Sequence, residues 1–144
     1  MAKASSVSCR VLIADSDAAE RQRLTTVVEA AAAALDREIV VDQASDGTTA
    51  MALWSEHLPG LVVCEVLLDG LSGLALLRRM KSERTALPPV IFVTRLSRES
   101  DRYWGLRSGA HAYLAKPYDD EQLRTRVQTI LDKGADAPPE RPFP

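Results

Sequence analysis

The 144 residues suffice for one domain, and 46% hydrophobic with 26% charged residues is typical of a globular chain. A net charge of −2 argues against a broad electrostatic grip on nucleic acid or anionic lipid. Two cysteines and two histidines are too few for a disulfide framework or for most His-rich metal sites. The sequence has neither an apolar run of membrane-spanning length nor a signal-peptide core, so we expect a cytoplasmic protein.

Short apolar runs alternate along the chain with segments that carry apolar residues at helical spacing. The predicted strands are residues 9–14, 38–44, 61–64, 90–93 and 111–115. The predicted helices are residues 17–35, 48–56, 72–81, 97–108 and 119–131. Two of these helices begin with capping-box spacing, at Asp17 with Glu20 and at Asp119 with Gln122, and Ser97 is the expected cap of the fourth. The alternation predicts an α/β fold, a doubly wound parallel sheet with helices on both faces.

The composition changes at both ends of the chain. Residues 1–8 are small and polar and are expected to form a flexible arm. Residues 9–133 contain all the predicted strands and helices and make up the expected domain. Residues 134–144, GADAPPERPFP, are rich in proline and predict a disordered tail or a linker.

Polar residues directly follow four of the predicted strands. They are Asp15, Glu65, Thr94 and Lys116. In a parallel sheet the carboxyl ends of the strands meet the loops at one edge, where binding and chemistry gather. The sequence therefore predicts one site at which two acids, a hydroxyl and an amine converge.

Four segments of the chain resemble the bacterial response-regulator receiver domain, of the single-domain chemotaxis and twitching-motility type. They are VLIADSD, PGLVVCEVLLDGLSGLALLRRMK, PPVIFVTR and GAHAYLAKPYDDEQL. The resemblance runs from Arg10 to Asp132 and implies the flavodoxin-like receiver fold, with five parallel strands in the order 2-1-3-4-5. It also raises the expectation of a cis peptide bond before Pro117.

The resemblance assigns family roles to residues of the predicted site. In the family, an aspartate after the third strand accepts a phosphoryl group from a histidine kinase, and two adjacent acids after the first strand hold Mg²⁺. Asp15 matches the first of these acids, and Leu67 matches the residue whose backbone carbonyl binds the metal. Thr94 and Lys116 match the residues that bind the phosphoryl oxygens, and Tyr113 matches the aromatic switch position.

The chain departs from the family pattern at two of these positions. Glu65 stands at the phosphoacceptor position, and Ser16 stands where the second metal-binding acid is found. A glutamate carries its carboxylate about one C–C bond, ~1.5 Å, further from the backbone than an aspartate does. An error of ~1 Å in positioning can cost ~10²-fold in rate. We therefore expect a degenerate pseudo-receiver with no catalytic residue.

The same departures weaken the expected metal site. Mg²⁺ favours carboxylates in near-ideal octahedral geometry, and Ser16 offers only a neutral hydroxyl. Asp17 is a weaker candidate ligand, because its spacing from Glu20 favours a role as helix cap. No cofactor is therefore expected, and Mg²⁺ only if the site is functional. Without metal, Glu65 would pair with Lys116 and hold negative charge near Thr94.

The expected function is that of a signalling or adaptor module in a two-component or chemosensory pathway. It would act through the face formed by the fourth helix, fifth strand and fifth helix, residues 97–133. The candidate contact residues there are Arg98, Arg102, Tyr103, Trp104 and Tyr113. The expected partner is a histidine kinase or a motility component, or a second copy bound through the same face, and neither nucleic acid nor membrane.

Two alternatives remain open from the sequence. One is a working phosphoreceiver with Mg²⁺-dependent transfer to Glu65 or to a neighbouring acid such as Asp17. The other is an unrelated small α/β enzyme that uses Asp15, Glu65 and Lys116, although the short loops argue against the deep pocket it would need.

Overall fold

The structure, a computed structural model, describes residues 9–84 and 86–142. Its strands are β1 (Cys9–Ala14), β2 (Ile39–Ala44), β3 (Leu61–Cys64), β4 (Val90–Thr94) and β5 (Ala112–Ala115). Its helices are α1 (Ala18–Ala34), α2 (Gly47–His57), α3 (Gly73–Glu83), α4 (Glu99–Arg107) and α5 (Asp120–Lys133), and a short 3₁₀ turn, Gly134–Asp136, follows α5. The expected arm at residues 1–8 lies outside the described residues.

All strand pairings are parallel, and the order across the sheet is β2-β1-β3-β4-β5. The predicted α/β fold and strand order are therefore confirmed. The peptide bond between Lys116 and Pro117 is cis, as the resemblance led us to expect. No helix in the described part of the chain is long and apolar enough to cross a membrane.

The sheet separates two apolar cores. Alternate residues of β1 show the division, because Val11 and Ile13 pack in the core with α1 and α5, whereas Leu12 packs in the core with α2, α3 and α4. Strand β3 is buried along its whole length, which is the pattern of a central parallel strand covered on both faces. This burial fixes the position of Glu65, which directly follows β3.

The helix starts agree only in part with the predicted caps. Asp17 caps α1 by accepting a hydrogen bond from the N–H of Ala19 at 2.9 Å, but Glu20 does not complete a capping box. The carboxylate of Glu20 instead accepts a hydrogen bond from the hydroxyl of Tyr118 at 2.8 Å. Likewise, α4 begins after Arg98 and not after Ser97, because Asp101 accepts a hydrogen bond from the N–H of Arg98 at 3.2 Å.

The chain after α5 makes contacts with the rest of the domain. Gly134 adopts φ +57°, and residues 134–142 return across α5 towards the outer edge of β5. Ala137 is buried with 3% exposure, and the N–H of Glu140 donates to the carbonyl of His111 at 2.7 Å. These contacts give the proline-rich segment a surface to pack on, and a disordered tail or a linker stays a prediction for residues 134–144. Residues 143–144 lie outside the described residues.

Candidate functional site

The four polar residues that follow the strands come together at the carboxyl edge of the sheet. Asp15, Glu65 and Thr94 are almost completely buried, with exposures of 2%, 2% and 0%. The ammonium of Lys116 lies between the two acids, 2.7 Å from Asp15 Oδ2 and 3.1 Å from Glu65 Oε1. The structure thus brings the four residues together as the sequence predicts, and it pairs Glu65 with Lys116.

The carboxylate of Glu65 has hydrogen-bond donors at both oxygens. Oε1 accepts from Lys116 and also from the backbone N–H of Arg95 at 3.2 Å. Oε2 accepts from the backbone N–H of Leu67 at 3.0 Å. Since β3 and β4 are neighbours in the sheet, the loops after them supply these N–H groups. The side chain is thus held by one charged donor and two backbone donors, and the hydroxyl of Thr94 also bonds to the carboxylate.

These contacts set the charge state of the pair. Burial on its own would raise the pKa of the Glu65 carboxyl, but the N–H of Leu67, the hydroxyl of Thr94 and the ammonium of Lys116 together lower that pKa. Burial would likewise lower the pKa of Lys116, but hydrogen bonds to Asp15 and Glu65 raise it. Both groups are therefore charged at neutral pH, and the site is an ion pair shared by two carboxylates.

Asp15 is also engaged through both of its oxygens. Oδ2 accepts from Lys116, and Oδ1 accepts from the backbone N–H of Asp17 at 2.9 Å. Asp17 itself is committed to capping α1. Leu67 contributes its N–H to Glu65, whereas the resemblance implied a role for its carbonyl.

This donor set fits Mg²⁺ poorly. The ammonium of Lys116 bridges the two carboxylates from which a divalent ion would draw its ligands, and Ser16 adds no negative charge. Among the described residues, no group of three or more His, Cys, Asp or Glu side chains is placed to hold a metal ion. A divalent ion at this edge would have to displace the ammonium from two short contacts inside a buried site.

The side chains of Thr94 and Tyr113 both contact Leu96, in the loop between β4 and α4. The hydroxyl oxygen of Thr94 accepts a hydrogen bond from the N–H of Leu96 at 3.2 Å. The ring of Tyr113 is buried, with 6% exposure, and its hydroxyl donates to the carbonyl of Leu96 at 2.7 Å. Burial raises the pKa of Tyr113 to about 12, so this hydroxyl keeps its proton at neutral pH. Both side chains therefore hold the loop between β4 and α4.

The predicted contact residues on α4 fall into different environments. Trp104 is 59% exposed, and its ring meets that of Tyr103 edge to face, with centroids 5.1 Å apart. Arg102 lies beside the segment after α5, with Nη1 3.4 Å from the carbonyl of Arg141. The signal missed in the sequence is Glu140, which contacts Tyr113, Arg126 and His111 from within the segment expected to be disordered.

Comparison with known proteins agrees with this fold. Residues 11–128 match the family model of the response regulator receiver domain, and the chain therefore belongs to that family. It is 33% identical over 123 residues to Protein PilH of Pseudomonas aeruginosa. The aligned part covers 85% of this chain and 97% of PilH.

The chain is also similar to part of a longer response regulator and to a solved receiver structure. The chain is 37% identical over 91 residues to the response regulator PleD of Caulobacter vibrioides, which covers 62% of this chain but only 20% of PleD. The crystal structure of a CheY-like receiver domain protein from Methanospirillum hungatei superimposes with a TM-score of 0.74 at 23% identity, covering 89% of this chain and 97% of that one. At this identity the superposition shows a shared fold.

Proposed function

We infer that this chain is a pseudo-receiver, a signalling or adaptor module that acts in the bacterial cytoplasm by protein contact, without conventional aspartyl phosphorylation. The observation that carries the proposal is the position of the Lys116 ammonium between Asp15 and Glu65. In this arrangement Lys116 neutralises a resident carboxylate, whereas the family role implied by the resemblance is to bind phosphoryl oxygens.

The geometry of Glu65 also argues against efficient phosphoryl transfer. A phosphoacceptor oxygen needs a free approach along the line of the attacked bond, because such catalysis depends on positioning and charge. Both oxygens of Glu65 already accept hydrogen bonds, and the side chain is 2% exposed. Attack by either oxygen would therefore have to compete with these contacts in a buried site.

Glu65 instead holds its carboxylate one methylene further from the backbone than an aspartate would, beside Thr94 and Lys116. Its carboxylate binds the Arg95 N–H, Thr94 and Lys116 together, and Tyr113 is held inward at Leu96. We infer that the domain stays in one conformational state and presents a constant face formed by α4, β5 and α5. The proposed partner is another signalling protein, such as a histidine kinase or a motility component.

Incubation with acetyl phosphate and Mg²⁺, read by intact mass, tests the proposal. The unmodified chain is expected to gain no phosphoryl group, under conditions in which a phosphorylation-competent receiver domain gains one. Glu65→Asp is the informative variant, because it restores the aspartate acceptor of the family while Ser16 still stands in place of the second metal-binding acid. If the single variant gains a phosphoryl group, the acceptor residue is the limiting defect. If only the double variant with Ser16→Asp gains one, the metal site is also defective.

A gain of one phosphoryl group on the unmodified chain would overturn the proposal. Peptide mapping would then decide between Glu65 and Asp17, the acids named by the working-receiver alternative.

A further inference from the structure

The segment after α5 makes a defined set of contacts with the edge of the sheet. Among the strands that the structure describes, β5 is an outer one, so one side of its backbone has no described strand beside it. Glu140 binds that backbone at two points, because its N–H donates to the His111 carbonyl at 2.7 Å and its Oε1 accepts from the Tyr113 N–H at 2.8 Å. An extended segment that takes up backbone groups of an edge strand is a recurring mode of peptide recognition.

The Glu140 carboxylate is recognised as a charged group as well. Its Oε2 accepts from Arg126 Nε at 3.1 Å and from Arg126 Nη2 at 2.8 Å, so two N–H groups of one guanidinium hold it. Arg102 approaches the other oxygen at 3.9 Å from α4. Two arginines, one on α4 and one on α5, thus flank a single carboxylate, and paired donors of this kind favour a carboxylate over a neutral side chain.

A small apolar residue three positions earlier provides a second anchor. Ala137 is buried with 3% exposure, and its carbonyl lies 2.8 Å from His111 Nε2. After Glu140, Arg141 and Pro142 line an open cleft of about 790 Å³ together with Tyr103 and Trp104 of α4. The segment therefore uses the same face that the proposed function assigns to a partner.

We propose that residues 137–142 are a built-in competitor for a peptide-docking groove on this face. The groove accepts an extended segment that carries a small apolar residue and, three positions later, a carboxylate. The partner is accordingly a protein with an exposed acidic segment of this pattern, which must displace the chain's own copy. The proposal rests on the proposed adaptor function, to which it adds the chemistry of the partner.

Competition in cis follows from chain connectivity. A segment tethered by a few residues has an effective local concentration of the order of millimolar, so a partner segment with similar contacts binds far more weakly to the closed form. Removing the anchor carboxylate takes these charge-assisted hydrogen bonds away from the closed form. Loss of Glu140 is therefore expected to open the groove about tenfold, which corresponds to about 1.4 kcal/mol.

The test uses the full chain and a fluorescein-labelled peptide, ADAPPERP, that copies residues 135–142. Fluorescence anisotropy is expected to show about tenfold tighter peptide binding to Glu140→Ala than to the unmodified chain. The matched control is Glu121→Ala, an exposed acid on α5 that pairs with Arg124, and this variant should bind the peptide as the unmodified chain does. A peptide with glutamine in place of its glutamate should lose about tenfold in affinity for Glu140→Ala.

Hydrogen exchange supplies an independent readout. The Tyr113 amide is expected to exchange about tenfold faster in Glu140→Ala, and Glu140→Gln repeats the measurement with the side-chain size kept. Unchanged exchange in both variants would overturn the closed form. Faster exchange without tighter peptide binding would overturn the docking groove. Neither the exchange rate nor the peptide affinity depends on Glu65. Phosphoryl uptake could therefore refute the proposed function without affecting the docking groove, and a failed peptide test could refute the groove without affecting the proposed function.

Discussion

The ammonium of Lys116 lies 3.1 Å from Glu65 Oε1, although 51 positions of sequence separate the two residues. The contact spans the end of β3 and the end of β5, which have β4 between them. The same ammonium also contacts Asp15 at the end of β1. Lys116 therefore joins the ends of three strands at one edge of the sheet.

Removing the ammonium should be strongly destabilising. Lys116→Met leaves two buried carboxylates without their shared cation, and breaking a buried ion pair from one side costs about 3–5 kcal/mol. Urea unfolding at pH 7 is expected to show a loss in this range. Lys133→Met, an exposed lysine at the end of α5, should change the free energy of unfolding by no more than ~0.5 kcal/mol.

The double variant Lys116→Met with Glu65→Gln separates charge from packing. If the loss comes from unpaired charge, removing one carboxylate should recover about 1 kcal/mol or more relative to Lys116→Met alone. A double variant that is less stable than Lys116→Met would contradict the ion-pair account.

The pH dependence of stability should reflect the same pair. The folded pKa of Glu65 lies below its unfolded value of about 4.3, so its contribution is present above that pH and is lost as the pH falls through the folded pKa. The folded pKa of Lys116 lies above its unfolded value of about 10.4, so its contribution is present below that pH and is lost as the pH rises through the folded pKa.

Comparison with Glu65→Gln isolates the acid limb of this profile. The stability difference between the unmodified chain and Glu65→Gln is expected to be constant from about pH 5 to 9 and to shrink below about pH 4. Urea midpoints measured across this range at fixed ionic strength provide the check. A difference that grows towards low pH would mean that the carboxyl is better stabilised in its protonated form.

The sequence was sufficient to predict the fold and the identity of the clustered residues. Apolar runs that end in Asp15, Glu65 and Thr94 locate both the strands and the site, since parallel strands point their carboxyl ends to one edge. The side-chain pattern could not predict that the backbone N–H groups of Leu67 and Arg95 donate to Glu65. Nearly every loop residue carries an N–H, so residue type does not indicate which of them will bind.

The tail illustrates the opposite limit. A run such as ADAPPERP has the composition of a linker, and nothing local distinguishes it from one. Its contacts involve Arg126 and the edge of β5, whose positions follow only from the assembled sheet. Composition therefore describes the segment as proline-rich but does not predict these contacts.

Gly105 of α4 should be intolerant of even a methyl group. A Cβ added there would lie 2.7 Å from Cδ2 of the Tyr113 ring. Glycine to alanine in a helix usually gains up to ~1 kcal/mol, but overpacking against a buried ring costs about 1–3 kcal/mol. Gly105→Ala is therefore expected to lower the free energy of unfolding, whereas Ser100→Ala, at an exposed position of the same helix, should leave it nearly unchanged.

The clash can be attributed to Tyr113 by a second substitution. In a Tyr113→Leu background the ring is gone, and Gly105→Ala should become neutral or stabilising in urea unfolding. An equal loss in both backgrounds would point to a backbone cause at Gly105 and would contradict the close approach of the ring.

Cys64 should report on global unfolding. Its side chain is completely buried, its thiol lies 3.1 Å from the carbonyl of Glu65, and burial raises its pKa. The thiolate is the reactive form, so a folded chain should protect this residue both by exclusion of reagent and by protonation. In a Cys9→Ala variant, which leaves Cys64 as the single cysteine, labelling by a thiol reagent is expected to be at least ~10³-fold slower in buffer than in denaturant, given a stability of about 5 kcal/mol or more. Mass spectrometry of the quenched reaction measures the rate, and rapid labelling of the folded variant would show that the edge of the sheet beside Glu65 opens without unfolding.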